Sequence, residues 1–418
     1  MRTFLTGLMV VALGWASGAW AVTIDTVPIG NTGNTMDVLY EEHGIEIGYG
    51  AVDYVYSMGT YEVTTGQYLE FLNAVAATDT YGLYNPDMDS SIYGSQITQN
   101  GASGSYTYDL SGRPSGTEAD WLNRPANFVS WADAARFANW MHNDQPTGGQ
   151  DMTTTEGGAY YLNGAMSDAD LLAVTREEDW RWAIPTLDEW HKAAYHKNDG
   201  DTGNYFDYPT SSDTAPSKSL VDPDPGNNAT FNWTIFTPYW RTEVGAHENS
   251  DSPYGTFDMG GNLFEWNESI VVEAYRGLRG GAFNGSSADY LQAGRLFQFS
   301  PSSGSYSFGF RLSKVPEPPG LAADFNDDGV VDDLDLTILA THWQMAGDHA
   351  AGDANDDGFV DDLDLTALAT EWPSGAGPDI SGANPSAIPE PATLSLLALL
   401  AIGMPKGRRM ARRPLGTA

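Results

Sequence analysis

The chain has 418 residues, and its 20 Lys and Arg face 56 Asp and Glu, a formal charge of −36. That balance argues against nucleic acid or an anionic membrane surface as a partner of the body, since both need a basic face. The complete lack of cysteine excludes disulfides, thiolate metal sites and a cysteine nucleophile, while a hydrophobic content of 41% is enough to build a core, with length for two or three domains.

Residues 1–21 combine Arg2, an apolar stretch from Phe4 to Trp15 and the small-x-small run Ala19-Trp20-Ala21. This is the pattern of a secretory signal peptide. Residues 22–314 follow as a main body rich in Gly, Tyr, Trp and Asn, with few long helices. Three helices are predicted in it. Thr64 to Ala77 places Tyr68, Phe71, Leu72 and Val75 on one face. Ser130 caps a helix from Trp131 to Met141 with Asp133 in its first turn. Thr186 and Glu189 form a capping box that opens a helix through Tyr195. Strands are predicted at Gly59 to Val63 and Leu278 to Phe283, and irregular structure over 85–123 and 199–255. The class is α+β.

Several pieces occur in order along this body. They are Gly59-Thr60-Tyr61-Glu62-Val63-Thr64, then Arg124-Pro125 with Val129-Ser130-Trp131, then Ile184-Pro185-Thr186 with Glu189-Trp190. Asp258-Met259-Gly260-Gly261-Asn262-Leu263-Phe264-Glu265-Trp266, Arg279-Gly280-Gly281-Ala282-Phe283 and Gly309-Phe310-Arg311 complete the series. The set resembles the formylglycine-generating enzyme (sulfatase-modifying factor) domain, whose fold is related to C-type lectins. The resemblance implies an oxidase that uses copper held by two thiolates between the Arg-Gly-Gly and Gly-Phe-Arg motifs. Here that interval, Asn284 to Phe308, contains no cysteine, and soft thiolates are what select Cu(I). The iron-binding His-x-x-x-His-x-Glu of a second family branch is also missing from the seven histidines. A structural calcium site is implied at Asp258, Gly261, Leu263 and Glu265, the first and last by side chain and the middle two by carbonyl oxygen, a donor set suited to calcium. A catalytic carboxylate pair, Asp258 with Glu265, is the rival reading of those positions.

After a Pro-rich linker at 315–320, the stretch Asp324 to Trp343 recurs as Asp353 to Trp372 with sixteen of twenty positions identical. Each copy carries ligand-type residues at EF-hand loop positions 1, 3, 5, 7 (through its carbonyl), 9 and 12. They are Asp324, Asn326, Asp328, Val330, Asp332 and Asp335 in the first, and Asp353, Asn355, Asp357, Phe359, Asp361 and Asp364 in the second. A helix with Leu334, Leu336, Leu339 and Trp343, repeated as Leu363, Leu365, Leu368 and Trp372, follows each loop. Residues 321–373 resemble a type I dockerin, which implies two calcium ions and a cohesin-like partner that reads Asp333-Leu334 and Asp362-Leu363. Fourteen acids and no Lys or Arg lie in this segment, so it self-repels without a divalent ion.

A second linker spans 374–387. At 388–413, Ile388-Pro389-Glu390-Pro391, the apolar run Ala392 to Met404 and five Lys and Arg occur in order. This resembles the PEP-CTERM sorting signal, which implies processing by an exosortase-type peptidase after transient membrane insertion. The functional expectation is an exported, calcium-binding recognition or adhesion module of the cell envelope or polysaccharide matrix, non-catalytic, that binds a cohesin-like protein, a glycan, or both. The alternatives are an enzyme of the formylglycine-generating family with a cysteine-free site, and a component of a polysaccharide-degrading assembly.

Overall fold

The computed structural model describes residues 21–42, 45–272, 274–315, 322–326, 331–355 and 358–372. Expectations for residues 1–20, for the linkers at 316–320 and 374–387 and for the tail at 388–413 lie outside them. Two compact units divide at Pro316 and Glu317.

The first unit is mixed helix and strand. Its helices start where the sequence places their caps. Thr64 caps Thr65–Val75, Ser130 caps Trp131–His142 and Thr186 caps Leu187–Tyr195, each through a reciprocal capping box with the third helical residue. Tyr68, Phe71, Leu72 and Val75 of the first helix are buried against Phe137 and Trp140 of the second. Phe137 stands 5.2 Å from Phe71 and 5.3 Å from Phe310, ring centre to ring centre, in edge-to-face pairs. A second cluster gathers Ile29, Tyr56 and Met58 around Trp190, Ala193 and Ala194 of the third helix.

Two four-stranded sheets frame these helices. In one, Ser313–Lys314 inserts antiparallel between Tyr56–Gly59 and Trp182–Ala183, with Thr26–Ile29 on the outer side of Tyr56–Gly59. The ends of the body are therefore held in one sheet. In the other, Phe264–Val272 pairs antiparallel with Tyr275–Arg279 and parallel with Phe308–Gly309, and Phe297–Phe299 covers the far edge.

Both predicted strands fall earlier in the chain than expected. The first ends at Gly59, and Thr60 to Val63 instead reach across to other segments, Thr60 N–H to Asp25 O and Val63 N–H to Phe310 O. The second ends at Arg279 because Gly280 and Gly281 take φ of +90° and +75°. The 85–123 stretch also holds the short helices Asp87–Ser90 and Glu118–Leu122 and a hairpin of Thr98–Asn100 with Thr107–Asp109.

The second unit consists of the helices Asp333–Thr341 and Asp362–Glu371, capped by Asp332 and Asp361. Its core is Ala323, Phe325, Val331, Leu336, Leu339, Val360 and Leu368. Leu334 and Leu363 are 58% and 57% exposed, while Leu336, Leu339 and Leu368 point inward. Among the described residues no helix is long and apolar enough to cross a membrane.

Candidate functional site

At the body's expected calcium positions the chain turns sharply. Asp258 has φ +56° and Gly261 φ +95°, and a Cβ on Gly261 would lie 2.3 Å from the Thr230 carbonyl oxygen. The turn delivers Glu265 into the interior, fully buried. Its Oε2 accepts from Arg311 Nε at 2.6 Å and from Trp190 Nε1 at 2.8 Å, and its Oε1 accepts from Arg311 Nη2 at 2.8 Å. Arg311 gives its other N–H groups to the carbonyls of Gly59, Thr60 and Phe257. Although burial works against its charge, the Glu265 carboxylate beside it holds the Arg311 guanidinium above its ordinary value.

Two more carboxylates adjoin this pair. Asp258 accepts from Gly245 N–H at 2.6 Å, and burial pushes it up to about 6. Glu62 accepts from Leu263 N–H at 3.1 Å through Oε1, while its Oε2 is buried without a partner. Burial, then the charges of Glu265 and Asp258, raise Glu62 well above the usual carboxylate range. Of the four expected calcium positions, the structure sets Glu265 on the Arg311 guanidinium and Asp258 near it, while Leu263 N–H binds Glu62 and Gly261 N–H binds the Gly280 carbonyl. Glu62 and Arg311 complete the arrangement, and both sit in motifs visible in the sequence. As a glycosidase pair, Asp258 and Glu265 would need an open face, but Glu265 has none.

A second buried network escaped the sequence reading. Arg176 spans Glu189 at 2.8 Å and Glu268 at 2.5 Å, and Tyr160 donates to Glu268 at 2.9 Å. Its only sequence signal was Glu189, read as a capping residue. The buried histidines are dispersed among different partners: His191 on Asp37, His196 on Tyr254 and His247 on Thr230. In the interval where the family holds its thiolates, Asn284 donates to the Tyr306 hydroxyl, and Tyr290 stacks on Phe297 with ring centres 5.6 Å apart.

In the second unit the last ligand-type residue of each loop folds back on the loop's own backbone. Asp335 is fully buried and accepts from Phe325 N–H at 2.8 Å and Asp332 N–H at 2.9 Å. Asp364, also fully buried, accepts from Ala354 N–H at 2.8 Å and Asp361 N–H at 2.7 Å. Asp353 accepts from Gly358 N–H at 2.7 Å. Asp324 and Asp353 are buried as well, Asn326, Asn355 and Phe359 lie on the same loops, and Asp332 and Asp361 cap the helices. Asp328, Val330 and Asp357 lie outside the described residues, and among those described no three acidic or imidazole groups converge closely enough to hold a metal.

A family model described as the sulfatase-modifying factor enzyme 1-like domain matches residues 51–315, and one described as the dockerin type I domain matches residues 322–371. Among solved structures, Treponema denticola variable protein 1 is 18% identical, covering 71% of this chain and 96% of its own, with a TM-score of 0.43. CarF is 18% identical over 70% of this chain and 98% of its own, with a TM-score of 0.40. PvdO from Pseudomonas aeruginosa is 15% identical over 70% and 92%, with a TM-score of 0.36. No curated protein matches the chain. With its matched body spanning most of the sequence, the chain belongs to the sulfatase-modifying factor enzyme 1-like family and carries a dockerin type I domain after it.

Proposed function

We propose that this protein is an exported recognition module that docks, in a calcium-dependent way, onto a cohesin-like partner, and that its body binds a ligand without the family's copper chemistry. One observation carries the docking reading. Two equivalent loop–helix units each bury an aspartate at the loop's end and hold a leucine out to solvent one residue before it, Leu334 before Asp335 and Leu363 before Asp364. Backbone N–H groups hold both aspartates, and the fourteen acids of the segment have no Lys or Arg among them to offset their charge. Calcium fits the donor chemistry: Asp324, Asn326, Asp328, Asp332, Asp335 and the Val330 carbonyl would hold one ion, and Asp353, Asn355, Asp357, Asp361, Asp364 and the Phe359 carbonyl the other. The bound ion would supply charge neutralisation, and the leucines would supply apolar contact. In the body, the cysteine-free interval Asn284 to Phe308 supports a non-catalytic role. The leader at 1–21 and the tail at 388–413 support export, membrane insertion and processing by an exosortase-type peptidase.

Calorimetry tests the docking reading directly. The full chain should bind two calcium ions and then a cohesin module, and chelator should release the cohesin. Cohesin binding that is equally tight in chelator would defeat the proposal. For the tail, mass spectrometry of the envelope-bound protein should find no peptide from Leu394 onward, and an intact C-terminus would defeat the processing step.

A further inference from the structure

The surface of the body carries a groove of about 680 Å3 formed by the loop from Ile235 to Ala246 together with Leu220 and Arg124. That volume is in the range of sites that accept a small ligand or a few side chains. Its walls are mostly apolar, with Leu220, Ile235, Phe236, Pro238 and Val244, and Phe236 is 63% exposed.

The groove also contains a cation that is only loosely paired. Arg124 is 6% exposed. Its Nη1 donates to the Arg241 carbonyl, and the guanidinium lies 4.0 Å from the centre of the Tyr239 ring. Its Nε is buried and has no partner. The nearest carboxylate, Glu243, stands 3.6 Å from Nη2, with its side chain 43% exposed. Elsewhere in the body the buried arginines that pair with carboxylates do so closely, Arg136 with Glu156 at 2.6 Å, Arg176 with Glu189 at 2.8 Å and Arg311 with Glu265 at 2.6 Å. A charge-assisted bond from a guanidinium N–H to a carboxylate is about twice as strong as a neutral one, and Nη2 has only the distant Glu243.

We propose that this groove binds a peptide segment of a partner protein that places a carboxylate beside an apolar side chain. The carboxylate takes Arg124 Nη2 in place of Glu243, which turns out to solvent, and the apolar side chain packs on Phe236 and Leu220. A peptide fits better than a saccharide because the apolar walls offer few partners for a ring of hydroxyls, each of which costs energy to bury unpaired. This inference rests on the reading of the body as a recognition module.

Fluorescence anisotropy on the full chain tests it, with labelled phenylalanyl-glutamyl-leucine amide as probe and its glutaminyl counterpart as control. The glutamyl peptide should bind about tenfold or more tightly than the glutaminyl one, the range of a charge-assisted bond. Glu243→Gln should tighten binding several-fold, because the internal competitor loses its charge. Phe236→Ser should weaken binding at an unchanged melting temperature, and Arg124→Lys, which keeps the charge without Nη2, should weaken it as well. No binding, equal binding of the two peptides, or loss of the labelled peptide to phenyl glucuronide at lower concentration than to unlabelled peptide would overturn the proposal. Cohesin docking measured on the same variants should not change, so failure of the groove and failure of the docking reading are separable.

Discussion

Replacing Arg311 with Met keeps much of the side chain's volume and removes its charge and five hydrogen bonds. Two of those bonds go to Glu265, and three to the carbonyls of Gly59, Thr60 and Phe257. Both members of the pair are fully buried. Breaking a buried pair by deleting one partner costs ~3–5 kcal/mol. Thr60 O keeps the Phe257 N–H as donor, while the Gly59 and Phe257 carbonyls each add about 1 kcal/mol, so the total is on the order of 5–7 kcal/mol, a large share of the stability of an ordinary domain. Glu265 is then a lone buried carboxylate beside Glu62 and Asp258. Removing both charges in Arg311→Met with Glu265→Met should cost less than Arg311→Met alone, since no uncompensated charge remains. Urea unfolding of the full chain, followed by tryptophan fluorescence, measures these differences, and Trp190, bonded to Glu265, reports locally. A loss under about 1 kcal/mol for Arg311→Met, or a double variant as costly as the sum of the singles, would show that this pair does not hold the core. The same unfolding run in calcium and in chelator separates the ion pair from the expected calcium site. If Glu265→Gln abolishes a calcium-dependent shift of the body's transition, a cation is bound there.

Three further outcomes are expected. Burial lowers His191 from the ordinary 6.5 to about 4, so the unfolded chain binds the extra proton between those pH values. Stability should therefore fall by ~3 kcal/mol as pH drops through that window; His191→Gln should flatten the slope of melting temperature against pH, and an unaltered slope would refute the assignment. Gly261→Ala should destabilise the body by several kcal/mol, because φ is +95° and the new Cβ meets the Thr230 carbonyl at 2.3 Å; a variant that unfolds in urea like the parent would contradict this geometry. Asp335→Ala and Asp364→Ala should each remove one of two calcium-binding events in calorimetry, and together they should abolish the calcium-induced helical signal of the second unit. Retention of both events would mean these side chains are not ligands.

The duplicated loops were legible because the acidic positions and helix cap that define each lie within a dozen residues, and the whole pattern recurs 29 residues later. The helices at Thr65–Val75, Trp131–His142 and Leu187–Tyr195 were legible for the same reason, since a capping box satisfies backbone N–H groups three residues away. The lack of cysteine between Arg279-Gly280-Gly281 and Gly309-Phe310-Arg311 is likewise readable from sequence alone. What the sequence could not decide was which distant group each buried charge would meet. Glu265 finds Arg311 46 positions away and Trp190 75 away, and Arg124 lines its groove with residues from 220 and 235–246. Strand limits were uncertain for a related reason. Tyr56–Gly59 is a strand because Thr26–Ile29 and Ser313–Lys314 pair with it, whereas Thr60 to Val63, equally apt by composition, are diverted to other partners. A carboxylate's role depends on whether chain closure brings it a guanidinium, a cation or water. That choice is made by tertiary packing, because burial makes an unpaired charge too costly to leave in place.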